Sequence, residues 1–225
     1  NKCSVLAVPY KSLANELASY GIETKKEIVH LGVDPNQFRP PEDKHAAKSR
    51  LGIDPSCIVI GYIGRISREK NVGVLVEAVA RLQENYNVML LAVGSGTKRD
   101  MKIFRKARNV MLPGFVRDVA QYYQAMDIFV MPSLTETTSL ATLEAMSCGV
   151  PVITTKVGFL KEYVVKDYNG LLFPRGNLVT LIMQLRKLIQ KRRLRMQMGI
   201  NARATALKFS WSNTASRIKK ILERY

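Results

Sequence analysis

Residues 57–63 read Cys57-Ile58-Val59-Ile60-Gly61-Tyr62-Ile63, a short apolar run rich in β-branched side chains that is followed by a loop and then by a helical period. The same order recurs, with further apolar runs at Val88–Val93, Asn109–Leu112, Ile128–Met131, Val150–Thr154 and Leu171–Phe173. Helical periods lie near residues 71–84, 98–107, 117–125, 140–147, 159–165 and 177–190. Because continuously apolar strands belong to parallel sheets covered on both faces, this alternation predicts an α/β fold with a doubly wound, Rossmann-like parallel sheet. In such sheets ligands bind beyond the carboxyl ends of the strands.

The repeat accounts for only part of the 225 residues, and we predict a sheet domain over 57–205. Residues 1–31 form a separate strand–helix–strand pattern, which we interpret as the C-terminal tail of a preceding α/β domain. Residues 32–56 contain four prolines and predict a linker. Residues 206–225 predict a C-terminal amphipathic helix, Ser212–Arg224, which has a cap at Ser210 or Ser212 and could pack on either domain.

Composition excludes several classes of protein. The longest apolar stretches, such as Ile58–Ile63, are far shorter than the roughly 20 residues of a membrane-spanning helix. The chain begins with Asn1 and without a secretory signal, so we expect it to start inside a longer protein. Its three cysteines and two histidines show no metal-ligand spacing, which predicts reduced thiols in a cytoplasmic protein and no metal site.

The formal net charge of +17 favours anionic partners: nucleic acid, anionic lipid or phosphorylated small molecules. The densest basic run, Arg186–Arg195, predicts a helix with six basic residues in ten. A solvated helix face and a peripheral role on an anionic membrane surface both fit this run. No aromatic residue interrupts it, so nucleic acid is not expected as a partner.

Two glycine-containing loops follow the first two strands. Gly64 is followed by Arg65, and Lys70 comes five residues later, an arrangement that suits a clamp for phosphate groups. Gly94 belongs to the turn Val93-Gly94-Ser95-Gly96, which alone is weak evidence because tight turns use glycine for conformational reasons. Solvated charges and an ordinary turn remain the alternative interpretation.

The loop after Ile128–Met131 is the most informative. It runs Pro132-Ser133-Leu134-Thr135-Glu136-Thr137-Thr138-Ser139 and leads into a helix that begins near Leu140 and contains Glu144. A helix N-terminus attracts anions. The two carboxylates would lie about 12 Å apart if all eight steps were helical. That separation is too long for one acid/base pair and suits two hydroxyl-bearing parts of one elongated ligand.

In this order the motifs resemble the family 4 retaining glycosyltransferases of GT-B architecture. The resemblance rests on Gly64-Arg65 with Glu69-Lys70, on Val93–Gly96, on Pro113–Val116, on Asp127 with Pro132-Ser133, and on Glu136 and Glu144 with seven residues between them. It continues through Ala145–Val152, Glu162 and Asn169–Leu172, and covers about four-fifths of the chain. It implies that this chain is the C-terminal donor-binding domain of an enzyme that moves a hexose from a nucleoside diphosphate sugar to an acceptor hydroxyl. The segment from Gly32 to Pro40 is similar to the interdomain junction of that family.

The resemblance also implies roles for the residues of the donor site. Arg65 and Lys70 would bind the diphosphate and stabilise the leaving group, and Glu136 would orient the sugar, so these three are the predicted catalytic residues. Glu144 would hold the ribose hydroxyls. The other predicted donor-binding residues are Gly64, Gly94, Phe115, Val116, Thr137, Thr138, Ser139 and Leu140. No metal or other cofactor is implied, and the N-terminal domain of the same protein is the implied partner; without it we expect little or no transfer.

One departure from the family pattern concerns the residues after the first glutamate. Many members carry Gly-Phe-Gly there, whereas this chain has Thr137-Thr138-Ser139. Two other functions remain open at this stage: a nucleotide-sugar epimerase of similar architecture, and a basic membrane- or nucleic-acid-binding α/β module without transferase activity.

Overall fold

The computed structural model describes residues 3–224. The strands are β1 Val5–Val8, β2 Lys25–Ile28, β3 Ile58–Ile63, β4 Val88–Val93, β5 Val110–Gly114, β6 Ile128–Met131, β7 Val152–Thr155 and β8 Gly170–Phe173. The helices are α1 Lys11–Ser19, α2 Lys44–Ser49, α3 Val72–Leu82, α4 Lys98–Met101, α5 Ala120–Ala125, α6 Leu140–Ser147, α7 Leu160–Tyr163, α8 Leu178–Gln190, α9 Arg192–Ala206 and α10 Trp211–Leu222. A 3₁₀ turn over Lys102–Lys106 follows α4.

Strands β3 to β8 form one six-stranded sheet in the order β5-β4-β3-β6-β7-β8. Each neighbouring pair is parallel. Every residue of β4, β6 and β7 is buried, because helices cover both faces of the sheet. The predicted doubly wound α/β fold is therefore confirmed. The chain reverses its direction of winding between β3 and β6, which makes their carboxyl ends the topological switch point.

The segment 32–56 contains the short helix α2. Asp43 begins it by accepting a hydrogen bond from the His45 amide. Lys48 is buried, donates to the Cys57 carbonyl at 2.8 Å and pairs with Asp127 at 2.7 Å. These contacts fasten the segment to the start of β3 and to the residue before β6. The domain boundaries at 31, 56 and 205 stay predictions.

The basic run Arg186–Arg195 does not form one helix, so that prediction was wrong. Helix α8 ends at Gln190 and α9 begins at Arg192, with Lys191 in a non-helical conformation between them. The Arg195 guanidinium donates to the carbonyls of Leu188 and Ile189, which lie in the last turn of α8. These bonds replace the helical partners that the carbonyls lose at the break.

Strands β1 and β2 form a separate two-stranded parallel sheet. Helix α10, which begins at Trp211 with Ser210 as its cap, packs against this unit. Thr214 donates to the His30 carbonyl at 2.7 Å, and Arg217 pairs with Glu27 at 2.6 Å. Within residues 3–224, no helix is long and apolar enough to cross a membrane.

Candidate active site

A large cleft of about 900 Å³ opens at the carboxyl ends of β3, β4 and β5. Its walls are the loops that follow these strands, over residues 63–67, 93–97 and 115–119. Backbone bonds join the first two loops: the Gly64 amide donates to the Val93 carbonyl at 3.0 Å, and Ile66 donates to Ser95 at 2.8 Å. The cleft thus lies where ligands of doubly wound sheets bind.

Two glycines allow the walls of the large cleft to approach each other. Gly64 and Gly94 have φ angles of +151° and +138°, which side chains of L-residues rarely adopt. A Cβ atom on Gly94 would overlap the carbonyl group of Gly64. Glycine is therefore required at position 94 by packing as well as by conformation.

A smaller cleft of about 320 Å³ lies at the switch point, between the loops after β3 and β6. It shares Ile63 and Gly64 with the large cleft, so the two spaces adjoin. Inside it, the Lys70 ammonium donates to both carboxylate oxygens of Glu136, at 2.8 and 2.9 Å. Only 18% of the Lys70 side chain and 9% of the Glu136 side chain are exposed. The pair is thus a fixed, partly desolvated charge arrangement.

The turn Thr137–Ser139 connects Glu136 to α6. Ser139 is the N-cap of α6 and has a left-handed backbone with φ of 55°. Its side chain makes no capping bond and instead contacts the Thr142 hydroxyl at 2.7 Å. The backbone amides at the start of α6 therefore receive no hydrogen bond from the Ser139 side chain. Such amides can donate to an anion or to a sugar hydroxyl.

Glu144 lies in α6, outside the residues that line either cleft. It accepts a hydrogen bond from the Tyr123 hydroxyl at 2.8 Å. Burial raises the pKa of the Glu144 carboxyl above its ordinary value, and the bond from Tyr123 partly offsets this rise. A carboxyl group held in this way makes its strongest hydrogen bonds to ligand hydroxyls when it is ionised.

Arg65 differs from Lys70 in its exposure to solvent. Its side chain is 70% exposed and pairs with Glu69, four residues later, at 2.6 Å. The backbone at this position is fixed, because the buried Tyr62 hydroxyl donates to the Arg65 carbonyl at 2.6 Å. The guanidinium can therefore swing toward an anion in the large cleft without movement of the loop.

The structure brings together most of the predicted site residues. Arg65, Gly94, Phe115 and Val116 line the large cleft, and Gly64 lines both clefts. The small cleft is lined by the other predicted residues except Glu144, namely Lys70, Glu136, Thr137, Thr138, Ser139 and Leu140. Their roles stay predictions. No group of three or more His, Cys, Asp or Glu side chains in residues 3–224 could hold a metal ion.

Two contributors to the site were missed from the sequence. Leu31 lines the small cleft, although it is the last residue of the segment assigned to the preceding domain. Tyr123, within α5, donates a hydrogen bond to Glu144. The helical period over 117–125 placed Tyr123 on a helix, but nothing in the sequence distinguished it from the adjacent Tyr122.

Comparison with known proteins identifies relatives along most of the chain. A D-inositol 3-phosphate glycosyltransferase of Streptomyces bingchenggensis is 31% identical over 206 residues, which are 84% of this chain and 45% of that protein. The chain thus spans about half the length of the curated relatives that it matches. The C-terminal domain of a group 1 glycosyl transferase, LpcC, from Francisella tularensis matches 79% of this chain and 97% of its own, with a TM-score of 0.72 and 28% identity.

Other solved structures match nearly the whole length of this chain. Alr3699/HepE of Anabaena, solved in complex with UDP, matches 99% of this chain and 64% of its own, with a TM-score of 0.89. At 22% identity this likeness shows the GT-B fold alone. The family model described as "Glycosyl transferases group 1" matches residues 43–205, which include both clefts except Leu31. The chain therefore belongs to the group 1 family of glycosyltransferases.

Proposed function

We propose that this chain is the donor-binding half of a retaining glycosyltransferase that moves a hexose from a nucleoside diphosphate sugar to an acceptor hydroxyl. The observation that carries the proposal is the adjacency of the two clefts, which meet at Ile63 and Gly64. The large cleft has room for a nucleoside, and the small cleft has polar groups for a diphosphate and a sugar. The solved complexes of Alr3699/HepE with UDP and with UDP-glucose support a ligand of this class.

In this proposal, cations stabilise the leaving group without a metal. Lys70 is already fixed beside Glu136, and Arg65 lies at the rim where it can reach the diphosphate. As the bond between sugar and phosphate breaks, negative charge grows on the diphosphate. The fixed, partly desolvated charge of Lys70, together with the guanidinium of Arg65 once it has swung toward the ligand, would stabilise that charge in the transition state.

The carboxylates hold the two hydroxyl-bearing ends of the donor. Glu136 would accept hydrogen bonds from the hexose, and Glu144 from the ribose. The acceptor would approach from the preceding domain and attack the face of the sugar that the leaving group vacates, which gives retention. The 225-residue chain alone would then bind donor weakly and transfer little or nothing.

We also propose that the enzyme is cytoplasmic and that an anionic membrane surface is a further partner. Family membership does not favour a basic binding module without transferase activity. If the acceptor is lipid-linked, basic residues would help to keep the enzyme near the membrane.

Calorimetric titration of the chain with UDP, GDP, ADP and their sugars, without added metal, tests the donor site. We expect saturable binding of one nucleotide, weakened by Arg65→Ala and by Glu144→Ala. Arg81→Ala is a matched control, because Arg81 and Glu77 form an exposed pair four residues apart, as do Arg65 and Glu69, but lie on α3 outside the clefts. Equal binding by all variants would contradict the assigned site, and no binding of any nucleotide by the wild-type chain would contradict the proposal that it binds donor on its own.

A further inference from the structure

Two residues of the segment that follows β7 donate hydrogen bonds to the backbone of the turn Thr137–Ser139. The Phe159 amide donates to the Thr137 carbonyl at 2.7 Å. The Tyr163 hydroxyl lies 3.1 Å from the Thr138 carbonyl and 3.3 Å from the Ser139 carbonyl. One phenolic proton thus lies between two consecutive carbonyls of the turn.

A side-chain hydrogen bond with Thr142 also acts on the Tyr163 hydroxyl. The Tyr163 side chain is buried in α7, with its ring centroid 4.9 Å from that of Phe159 and 5.9 Å from that of Phe209. Burial also raises the pKa of the Tyr163 phenol well above its ordinary value, so the group keeps its proton and remains a donor. The packing therefore directs a hydrogen-bond donor at the turn.

The turn requires such support because of its backbone. Ser139 has the left-handed conformation that costs a residue with a side chain roughly 1–2 kcal/mol. Its carbonyl also accepts a hydrogen bond from the Thr142 amide within α6. Among the described residues, the Thr138 carbonyl receives its hydrogen bond from Tyr163 alone. Loss of this donor would leave a buried carbonyl unpaired directly beside the small cleft.

We propose that Tyr163 is a positioning residue, which acts through the Thr137–Ser139 turn to orient the transferred sugar of a nucleoside diphosphate sugar. This inference rests on the proposed function, because the turn lines the small cleft next to Lys70 and Glu136. Tyr163 itself lines neither cleft. Its effect is therefore confined to the sugar end of the donor, and the nucleoside end in the large cleft is independent of it.

Titration of Tyr163→Phe with two ligand pairs, UDP and UDP-glucose, and GDP and GDP-mannose, separates these two ends. Loss of one buried hydrogen bond corresponds to roughly a three- to tenfold change in an equilibrium constant. We expect a loss of that size in affinity for the nucleotide sugar, and less than a twofold change for the nucleoside diphosphate. Tyr10→Phe is the matched control: its buried ring stacks 5.7 Å from Phe159 in the same aromatic cluster, and its hydroxyl makes no hydrogen bond within residues 3–224.

Hydrogen exchange of the backbone amides supplies a second readout that needs no ligand. In Tyr163→Phe we expect amides 138–143 to exchange severalfold faster than in the wild-type chain and in Tyr10→Phe. Unchanged exchange, or an equal loss of affinity for both ligands of a pair, would overturn the positioning role. If the wild-type chain binds no nucleotide while exchange still rises in Tyr163→Phe, the proposal that the chain binds donor on its own fails and the support of the turn by Tyr163 stands.

Discussion

The large and the small cleft share Gly64 but differ in how far their side chains are exposed to solvent and fixed by partners. In the large cleft, Arg65 is exposed and Phe115 is 77% exposed, so both side chains can adjust to a ligand. In the small cleft, Lys70 and Glu136 form a fixed pair that is mostly removed from water. The difference indicates that one cleft adapts its walls to a ligand, whereas the other offers preorganised charges. Substitutions in the small cleft should therefore have larger effects.

The largest effect is expected for Lys70→Ala. It leaves the Glu136 carboxylate without its cation, and the cost of breaking a buried pair suggests a loss of about 3 kcal/mol in the free energy of unfolding. Loss of a charge-assisted bond to the diphosphate should lower nucleotide affinity by roughly 100-fold. Denaturant unfolding and calorimetric titration measure the two effects.

The double variant Lys70→Ala with Glu136→Gln serves as its control. Removal of the orphaned charge should restore most of the stability, while nucleotide affinity stays low because the cation is still absent. Recovery of affinity in the double variant would show that Lys70 acts only by neutralising Glu136.

Glu144→Gln should have the next largest effect, with roughly a tenfold loss of nucleotide affinity if the carboxylate holds the ribose. Burial raises the folded-state pKa of Glu144 above its ordinary value of 4.5. Protonation removes its negative charge and with it the charge-assisted bonds to the ribose hydroxyls, so wild-type affinity should fall as pH decreases toward this raised pKa. The amide variant should show a flatter dependence, and titrations between pH 7 and 5 measure the difference; identical slopes would contradict the ribose role.

The same pKa shift has a consequence for stability. The folded state holds the Glu144 proton more tightly than the unfolded state does, so this group's contribution to the free energy of unfolding falls as pH rises through the interval above 4.5. Glu144→Gln removes that contribution and keeps an oxygen that can accept the Tyr123 hydrogen bond. At neutral pH the variant should therefore melt at a higher temperature than the wild-type chain while binding nucleotide less well.

Phe115→Ala tests the adaptable cleft and should have a smaller effect. The ring lies at the mouth of the large cleft, where it could cover a base. Loss of one stacking contact at the weak end of its range, about 1 kcal/mol, corresponds to roughly fivefold lower affinity. Because the side chain is exposed, the free energy of unfolding should change by less than about 0.5 kcal/mol. A stability loss as large as that of Lys70→Ala would contradict the distinction between the clefts.

The fold was predictable because its strands are continuously apolar and β-branched, as in Cys57–Ile63, a pattern that depends on local chemistry. The break at Lys191 was not, because the carbonyls that it frees are satisfied by the side chain of Arg195 in the first turn of the next helix, a contact that apolar periodicity does not show. Motif order placed the residues of both clefts on strand-to-helix loops. The partners Tyr123 and Tyr163 could not be predicted, since their roles depend on how α5 packs against α6 and how α7 packs against the turn Thr137–Ser139.

The smallest effect is expected for charge reversal at Lys191, Arg192 and Arg193. The end of α8 lies at the amino edge of the sheet: Gln190 donates to the hydroxyl of Tyr86, which precedes β4, and Lys187 pairs with Asp167, which precedes β8. The clefts open at the carboxyl edge, and charges separated by more than about 10 Å of solvent are largely screened at ordinary ionic strength. Nucleotide affinity of the triple glutamate variant should therefore change by less than twofold.

Vesicle co-sedimentation of the same variant tests whether this basic corner binds an anionic membrane. If it does, salt-sensitive association with phosphatidylglycerol vesicles should decrease in the variant, while phosphatidylcholine vesicles bind neither protein. Unchanged association of the variant with phosphatidylglycerol vesicles would show that these three residues do not contact the membrane. The corner faces away from the clefts. A variant that binds vesicles less well but binds nucleotide as the wild-type chain does would therefore show that membrane attachment and donor recognition use separate surfaces of one domain.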